Sequence, residues 1–344
     1  MKQQIIDLWK LSFGDPDEFI QIFFDRVYKD ENTFVIEQNG KVVSALQILP
    51  YEMTYCGTTI PAGYICGVCT LPAEKGKGLM TQLMLTALEE MRNRNYALAI
   101  LIPATPWLFD FYRKFEFANA FDYATEAIYR QNPATEQRNK TANKSESGFR
   151  IVSHNAISTE SIYAYYHLKQ RARDCSIQHS MHQFDTIRLD WMLGKGEIWV
   201  ALFDEKPAGL AFTMVSANES VSFREIMADN PEIKKTLVQF VLNQYQLPKA
   251  ELRIPVAGSD LCDSVGDLRS APTVDSLGDV RPHVSTLYGM ARIIDKELMI
   301  GLYRSMLEGQ DSSMTDLQNA SLASLTQILL KYEQRRAYMN LMMD

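Results

Sequence analysis

Excess positive charge and long apolar runs are both missing from this sequence. The 344 residues carry a formal net charge of −7, whereas nucleic-acid binding needs clustered Lys and Arg to neutralise phosphates. No run of about 18 apolar residues predicts a membrane span, and the first residues lack both the apolar core and the cleavage site of a signal peptide. We therefore expect a cytoplasmic protein that has neither nucleic acid nor a membrane as its partner.

Paired cysteines and metal-ligand clusters are missing as well. The five cysteines are odd in number, and only Cys66 and Cys69 have a CxxC spacing, inside an apolar segment typical of a strand. No second pair completes a zinc site. His179 and His182 are three residues apart without a third ligand. The pattern predicts free buried thiols, a reducing compartment and no bound metal.

The chain length predicts two or three domains, and alternating helix and strand patterns predict an α/β fold with mixed sheets. Residues 1–130 form the first domain. Residues 131–148 contain no large apolar side chain and predict a linker. Residues 149–256 repeat the order of elements of the first domain, and residues 257–344 form a smaller C-terminal unit.

Two local patterns place elements within the first domain. Asn39-Gly40 lies between two strand-like segments and predicts a tight hairpin turn with positive φ at both residues. An amphipathic helix follows the strand at residues 64–71, because apolar side chains recur at helical spacing on one face. These side chains are Leu79, Leu83, Met84, Ala87, Leu88 and Met91.

A glycine-containing loop joins that strand to that helix. Gly76 and Gly78 allow the backbone to pass close to a ligand, and the first N–H groups of the helix have no internal acceptor. The helix dipole adds positive potential, and Lys75 and Lys77 add charge. The loop is suited to an anion such as a pyrophosphate. The corresponding segment of the second region, residues 227–235, contains no glycine and two acidic residues.

Two common phosphate loops do not fit this segment. A Walker A loop needs glycine where Leu71 stands and Ser or Thr where Gly78 stands, and a Rossmann fingerprint needs glycine where Thr81 stands. The acyl-CoA loop of GNAT enzymes, [QR]xxGx[GA], remains. Of residues Lys75 to Met80, only the central Gly78 matches it literally. An ordinary strand–helix turn therefore stays open from the loop alone.

A second segment resembles the GNAT superfamily. The sequence from Phe111 to Phe117, FYRKFEF, is similar to the GNAT pattern fYxkxGF. The resemblance implies that Tyr112 faces the thioester sulfur of an acyl-CoA. Glu116 replaces the glycine of the pattern, which puts the turn there in doubt. A helix aromatic packed in the core is the alternative interpretation of Tyr112.

The whole chain resembles the Eis-type acetyltransferases, whose loop is similar to GVTVAPxxRRxG[IL]L and aligns with residues 67–80 without a gap. This resemblance implies a catalytic GNAT domain, a degenerate GNAT-like domain and a C-terminal domain like a sterol-carrier protein, which is shorter here than the family norm. It also implies an acetyl-CoA site. Its residues would be Val68, Cys69, Thr70, Lys75, Gly76, Lys77, Gly78, Leu79, Met80 and Thr81.

The resemblance implies acetyl transfer from acetyl-CoA to a primary amine of a small molecule, peptide or protein. Backbone N–H groups near Val68 would polarise the thioester carbonyl, and Tyr112 would protonate the departing sulfur. Residues 1–150 contain no histidine. In Eis-type enzymes a C-terminal carboxylate is the base, which implies this role for Asp344, although a packed or frayed chain end is the alternative.

Two other functions stay open. A non-catalytic acyl-CoA-binding scaffold would keep the loop without turnover, and a tandem-GNAT transferase would use another acyl donor. The acceptor amine cannot be read from the sequence, and a homo-oligomer is left open.

Overall fold

The computed structural model describes residues 1–131, 149–216, 218–255, 285–307, 314–334 and 337–343. By contacts the chain divides into two compact units. The first comprises Met1–Asp122, Arg173–Asp190 and Leu287–Asp344, and the second comprises Tyr123–Ala172 and Trp191–Thr286. The predicted domain boundaries stay predictions, and residues 132–148 of the predicted linker lie outside the described residues.

The strands are β1 (Thr33–Gln38), β2 (Lys41–Tyr55), β3 (Thr58–Thr70), β4 (Leu98–Leu101), β5 (Ala118–Tyr129), β6 (Phe149–Ser153), β7 (Ile177–Gln178), β8 (Glu197–Phe203), β9 (Lys206–Ser216), β10 (Ser220–Ala228), β11 (Lys249–Pro255) and β12 (Ser285–Ile293). The α-helices are α1 (Lys2–Phe13), α2 (Asp17–Arg26), α3 (Leu79–Asn93), α4 (Pro106–Arg113), α5 (Thr159–Arg171), α6 (Met181–Leu193), α7 (Pro231–Tyr245), α8 (Lys296–Met306), α9 (Met314–Asn319) and α10 (Leu322–Leu329). The predicted α/β fold with mixed sheets is confirmed.

The sheet of the first unit has the strand order β1-β2-β3-β4-β12. Strands β1, β2 and β3 form an antiparallel meander. Strand β4 runs parallel to β3, and β12 is antiparallel to β4. The β1–β2 turn has φ values of 51° at Asn39 and 74° at Gly40, so the predicted hairpin is confirmed.

Helix α3 crosses from β3 to β4 and packs its apolar side against the sheet. All but one of the predicted apolar positions are buried; Leu79 at the helix start is half-buried. The same cluster contains Phe109 and Tyr112 of α4 and Ile48 of β2. Burying a Leu or Met side chain contributes about 1.5–3 kcal/mol of transfer free energy. The cluster therefore fixes α3 and α4 on one face of the sheet.

The second unit repeats this strand arrangement. Its strand order is β5-β11-β10-β9-β8-β6. Strands β8, β9 and β10 are antiparallel neighbours, β11 runs parallel to β10, and β5 is antiparallel to β11. Helix α7 connects β10 to β11, as α3 connects β3 to β4. The directions and the spatial order of five strands are therefore the same in both units, and β6, which pairs antiparallel with β8, is an additional strand of the second unit.

The described end of the chain is buried in the first unit. Each of residues 337–343 is at most 6% exposed. The backbone N–H of Tyr338 donates to the Cys175 carbonyl at 2.8 Å, and the Ile177 N–H donates to the Tyr338 carbonyl at 3.0 Å. Burial lowers the pKa of His179 to about 4, and a hydrogen bond to the Leu341 backbone opposes this shift. His179 is therefore neutral near pH 7 and holds the tail at Leu341.

In the described part of residues 257–344, the strand β12 extends the sheet of the first unit. The likeness of this segment to a sterol-carrier protein stays a prediction. Among the described helices, none is long and apolar enough to cross a bilayer.

Candidate functional site

A β-bulge interrupts β3 within the segment that the sequence singled out. Ala45 pairs with Cys69 and Gln47 with Cys66, so Leu46 of β2 faces two residues, Gly67 and Val68. Gly67 has a φ of 59°, and a Cβ atom there would lie 2.5 Å from the Trp9 ring. Only glycine fits this position. Because a bulge leaves its extra residue outside the ladder, the regular hydrogen-bond pattern between β2 and β3 is interrupted at Gly67 and Val68.

Strands β3 and β4 separate next to the bulge. Their parallel pairing runs from Ala62 opposite Leu98 to Tyr64 opposite Ile100. Strand β4 then ends at Leu101, whereas β3 continues to Thr70. A gap therefore opens at the carboxyl ends of two parallel strands. Crevices at such strand ends are where α/β folds commonly bind ligands.

The loop after β3 leads to an open helix N-terminus. Gly76 and Gly78 have φ values of 80° and 79°, and a Cβ at either would meet nothing within 4 Å. Glycine is thus needed for the positive φ and not to avoid a clash. Gly78 is the N-cap of α3, where no described side chain accepts a hydrogen bond and no acidic residue occupies the first turn. The N–H groups of Leu79, Met80 and Thr81 are therefore available to an anion.

Charges of both signs flank this loop. Lys75 and Lys77 are exposed, and the ammonium of Lys77 lies 2.8 Å from a carboxylate oxygen of Glu74. The sequence reasoning missed Glu74, although its position three residues before Lys77 was visible. An exposed ion pair contributes only about 0–1 kcal/mol. A phosphate can therefore replace Glu74 as the partner of Lys77.

Tyr112 is buried beside the bulge, with 4% of its surface exposed. It belongs to the apolar cluster against which Val68 and Met80 pack. Burial raises the pKa of the Tyr112 hydroxyl, and the nearby Cys66 thiol raises it further. Cys66 comes directly before the bulge in β3. The structure thus brings Tyr112, the bulge and the start of α3 together, and the hydroxyl stays protonated at neutral pH.

The turn after α4 is formed even though Glu116 stands where the GNAT pattern has glycine. The φ of Glu116 is 61°, which is the left-handed conformation that glycine normally supplies after a helix. Its carboxylate accepts a hydrogen bond from Nη2 of Arg292 at 3.4 Å. Arg292 on β12 is only 5% exposed, and its Nε and Nη1 atoms have no acceptor among the described residues. Burial lowers the pKa of Arg292, and Glu116 opposes this shift.

The corresponding helix end in the second unit is closed by its own side chains. Oδ1 of Asn230 accepts a hydrogen bond from the Ile233 N–H at 2.9 Å, and Pro231 begins α7 with Glu232 behind it. Asp229 is paired with Lys169 at 2.8 Å. This helix end is capped and acidic, so it is unsuited to an anion.

Asp344, the predicted base, lies outside the described residues. The sequence predicts no metal site at His179 and His182, and the structure describes both side chains. His179 packs edge-on against Tyr51, with 5.5 Å between ring centroids, while a ring nitrogen of His182 lies 2.8 Å from the Arg26 carbonyl. The two histidines thus have different partners. No group of three or more His, Cys, Asp or Glu residues suited to a metal occurs in the described ranges.

Residues 2–120 match the family model described as an acetyltransferase (GNAT) domain. This segment therefore carries a GNAT domain, and it contains the bulge, the glycine loop and Tyr112. No curated protein matches the chain.

Several solved structures share the fold at low sequence identity. A protein of Enterococcus faecalis described as a probable N-acyltransferase has a TM-score of 0.65 and 17% identity, over 85% of this chain and 70% of that one. A GCN5-related N-acetyltransferase of Anabaena variabilis has a TM-score of 0.59 and 16% identity, over 85% and 70%. Eis1 of Mycobacterium abscessus has a TM-score of 0.58 and 16% identity, over 83% and 72%.

Replacing Glu116 tests whether its carboxylate compensates Arg292. Glu116→Gly relieves the left-handed strain but removes the carboxylate that faces a buried guanidinium, so we expect a net loss of about 1–2 kcal/mol in the free energy of unfolding. In an Arg292→Met background the same change should be neutral or stabilising. Urea unfolding of the four proteins in this cycle measures the coupling. A coupling energy near zero in this cycle would show that the ion pair contributes nothing.

Proposed function

We propose that this chain is an acetyl-CoA-dependent N-acetyltransferase that acetylates a primary amine of a small molecule, peptide or protein. The observation that carries the proposal is the uncapped N-terminus of α3. It follows two glycines of positive φ and lies beside the gap between β3 and β4. An anion-binding helix end next to a strand gap and a bulge suits a donor with a pyrophosphate at one end and a thioester at the other.

The donor would be held mainly by backbone groups. The N–H groups of Leu79, Met80 and Thr81 would bind the pyrophosphate, with Lys75 and Lys77 adding charge. The thioester would lie at Val68, Cys69 and Thr70, where backbone N–H groups at the bulge polarise its carbonyl. Donors fixed in advance at a developing oxyanion stabilise the transition state without reorganisation.

Tyr112 would be the general acid. When the amine attacks the thioester carbonyl, the C–S bond breaks and the departing thiolate takes a proton from the Tyr112 hydroxyl. The raised pKa of this buried hydroxyl keeps it protonated at working pH. Its position beside Cys66 and the bulge supports a place next to the sulfur.

Asp344 would supply the base, directly or through a water molecule. Support comes from the path of the tail before it. His179 holds Leu341 and packs against Tyr51, whose ring is 6.0 Å from that of Tyr64 on β3. A series of side-chain contacts thus links the tail at Leu341 to β3, the strand that carries the bulge. A carboxylate needs partial burial to raise its pKa toward a useful value.

The second unit would be a degenerate GNAT-like domain, and residues 257–344 would include a reduced domain like a sterol-carrier protein. The matching order of five strands in the two units supports the former. The self-capped α7 supports the proposal that one acetyl-CoA binds per chain. A non-catalytic acyl-CoA scaffold and a transferase for another acyl donor are the competing functions. Neither has a specific observation in its favour.

Changing Gly78→Asp tests the donor site. The new carboxylate would lie at the pyrophosphate and the left-handed backbone would be strained, so acetyl-CoA binding should fall below detection in calorimetry. Gly57→Asp is the matched control, because Gly57 has a φ of 76° and nothing within 4 Å of its Cβ position, in the turn between β2 and β3 at the opposite end of β3 from the loop. Equal affinity in both folded variants would remove the loop from the donor site.

Changing Tyr112→Phe tests the acid. We expect turnover to fall by about 10²-fold or more, the usual range for general acid–base catalysis, with acetyl-CoA affinity nearly unchanged. Tyr96→Phe is the control. Tyr96 is 8% exposed in the same apolar cluster, but it comes just before the start of β4, whereas α4 follows the end of that strand. Release of free CoA in the presence of an amine panel measures turnover. Normal turnover of Tyr112→Phe would exclude the hydroxyl from the mechanism.

Deleting Asp344 alone tests the base. Turnover should fall by about 10²-fold or more, while the melting temperature and the acetyl-CoA affinity should change little. A longer deletion from Leu341 is unsuitable, because Leu341, Met342 and Met343 are buried and their loss would destabilise the first unit. Asp344→Asn removes only the side-chain carboxylate and keeps the α-carboxylate, so it distinguishes the contributions of these two groups. Full activity of both variants would assign the proton to another acceptor.

A further inference from the structure

Trp107 is the most exposed tryptophan among the described residues, with 65% of its surface in contact with solvent. It lies in the first turn of α4, directly after Pro106. Its ring centroid is 6.4 Å from that of Phe111, and Phe111 in turn lies 5.3 Å from Tyr112. Edge-to-face ring contacts therefore connect the buried Tyr112 through Phe111 to the solvent-exposed indole of Trp107.

The topology puts this ring close to the glycine loop. Strands β3 and β4 are parallel, and each is followed by a helix, so α3 and α4 both begin at the same edge of the sheet. Met80 and Leu108, from the first turns of these helices, pack against one apolar cluster. Trp107 and the open N-terminus of α3 therefore lie at the same edge of the sheet, beside one apolar cluster.

We propose that Trp107 is the platform on which the adenine ring of acetyl-CoA stacks, an inference that rests on the proposed function. If the thioester lies at the bulge and the pyrophosphate at the start of α3, the nucleoside is the part of the donor that remains outside the gap. A purine offers a flat π-face to an exposed aromatic ring. Stacking of a base on an aromatic side chain is sequence-independent and needs no hydrogen-bond partner.

This assignment makes Trp107 a determinant of donor specificity and not a catalytic residue. It predicts that the enzyme distinguishes donors that carry adenosine from donors that lack it. The natural comparison is acetyl-CoA with S-acetyl-4′-phosphopantetheine, which keeps the thioester and one phosphate. An acyl chain lying on Trp107 would instead make the length of the acyl group decisive.

The experiment compares the two donors on the wild-type chain, Trp107→Ala, Trp107→Phe and Leu85→Ala. Leu85 is an exposed apolar side chain of α3, 57% exposed, and serves as the matched control. Trp107→Ala should raise the Kd for acetyl-CoA by about tenfold or more and leave the Kd for S-acetyl-4′-phosphopantetheine unchanged. Trp107→Phe should retain most of the affinity. Acetyl-CoA should also quench tryptophan fluorescence in the wild type more strongly than in Trp107→Phe.

Equal losses for both donors in Trp107→Ala would mean that Trp107 only supports α4, and unchanged affinity for acetyl-CoA would mean that the adenine lies elsewhere. Either result overturns the inference and leaves the proposed function intact. If the wild-type chain binds neither donor, the proposed function fails and this inference fails with it.

Discussion

The separation of β3 from β4 is the constraint on which the candidate site depends. Beyond Tyr64, β3 has lost its neighbour on one side, yet its backbone groups still need hydrogen-bond partners. Strand β2 supplies partners for the groups on its own side up to Thr70. The buried hydroxyl of Ser44 adds a hydrogen bond to the Cys69 carbonyl at 2.9 Å. Because β2 alone holds this part of β3, the opposite edge is left open at the place where the loop and α3 begin.

The bulge depends on a contact that is distant in sequence. Trp9 of α1 occupies the space where a side chain at position 67 would lie, so the first helix enforces a glycine in the third strand. The glycine can then adopt the left-handed conformation that the bulge requires. The geometry of the site is thereby tied to the packing of a helix that contributes no reacting group.

Local patterns were sufficient to predict the elements that carry the site. The Asn39-Gly40 turn follows from backbone sterics, and α3 follows from the spacing of its apolar residues. The beginning of β3 at Thr58 was missed, because Thr58 to Gly63 do not alternate between apolar and polar. Helix α6 was missed because it has no continuous apolar stripe. Its buried residues are Phe184, Thr186 and Ile187, and tertiary packing decides its position.

Within the site, the glycine loop could be predicted because two glycines and two lysines lie within four residues. Features that depend on long-range contacts could not. The carboxylate of Glu116 faces Arg292 only because β12 joins the sheet next to β4. The burial of the tail was indicated by its apolar composition, but its attachment to Cys175 and His179 required the folded chain.

The insertion of β12 beside β4 has a consequence for the order of folding. The first unit is assembled from three separate stretches of chain, and β4 lacks a partner on one side until residues 285–293 have been synthesised. An unpaired strand edge is a template for association with other chains, and contacts between distant residues form slowly. The edge of β4 therefore stays unpaired until residues 285–293 have left the ribosome.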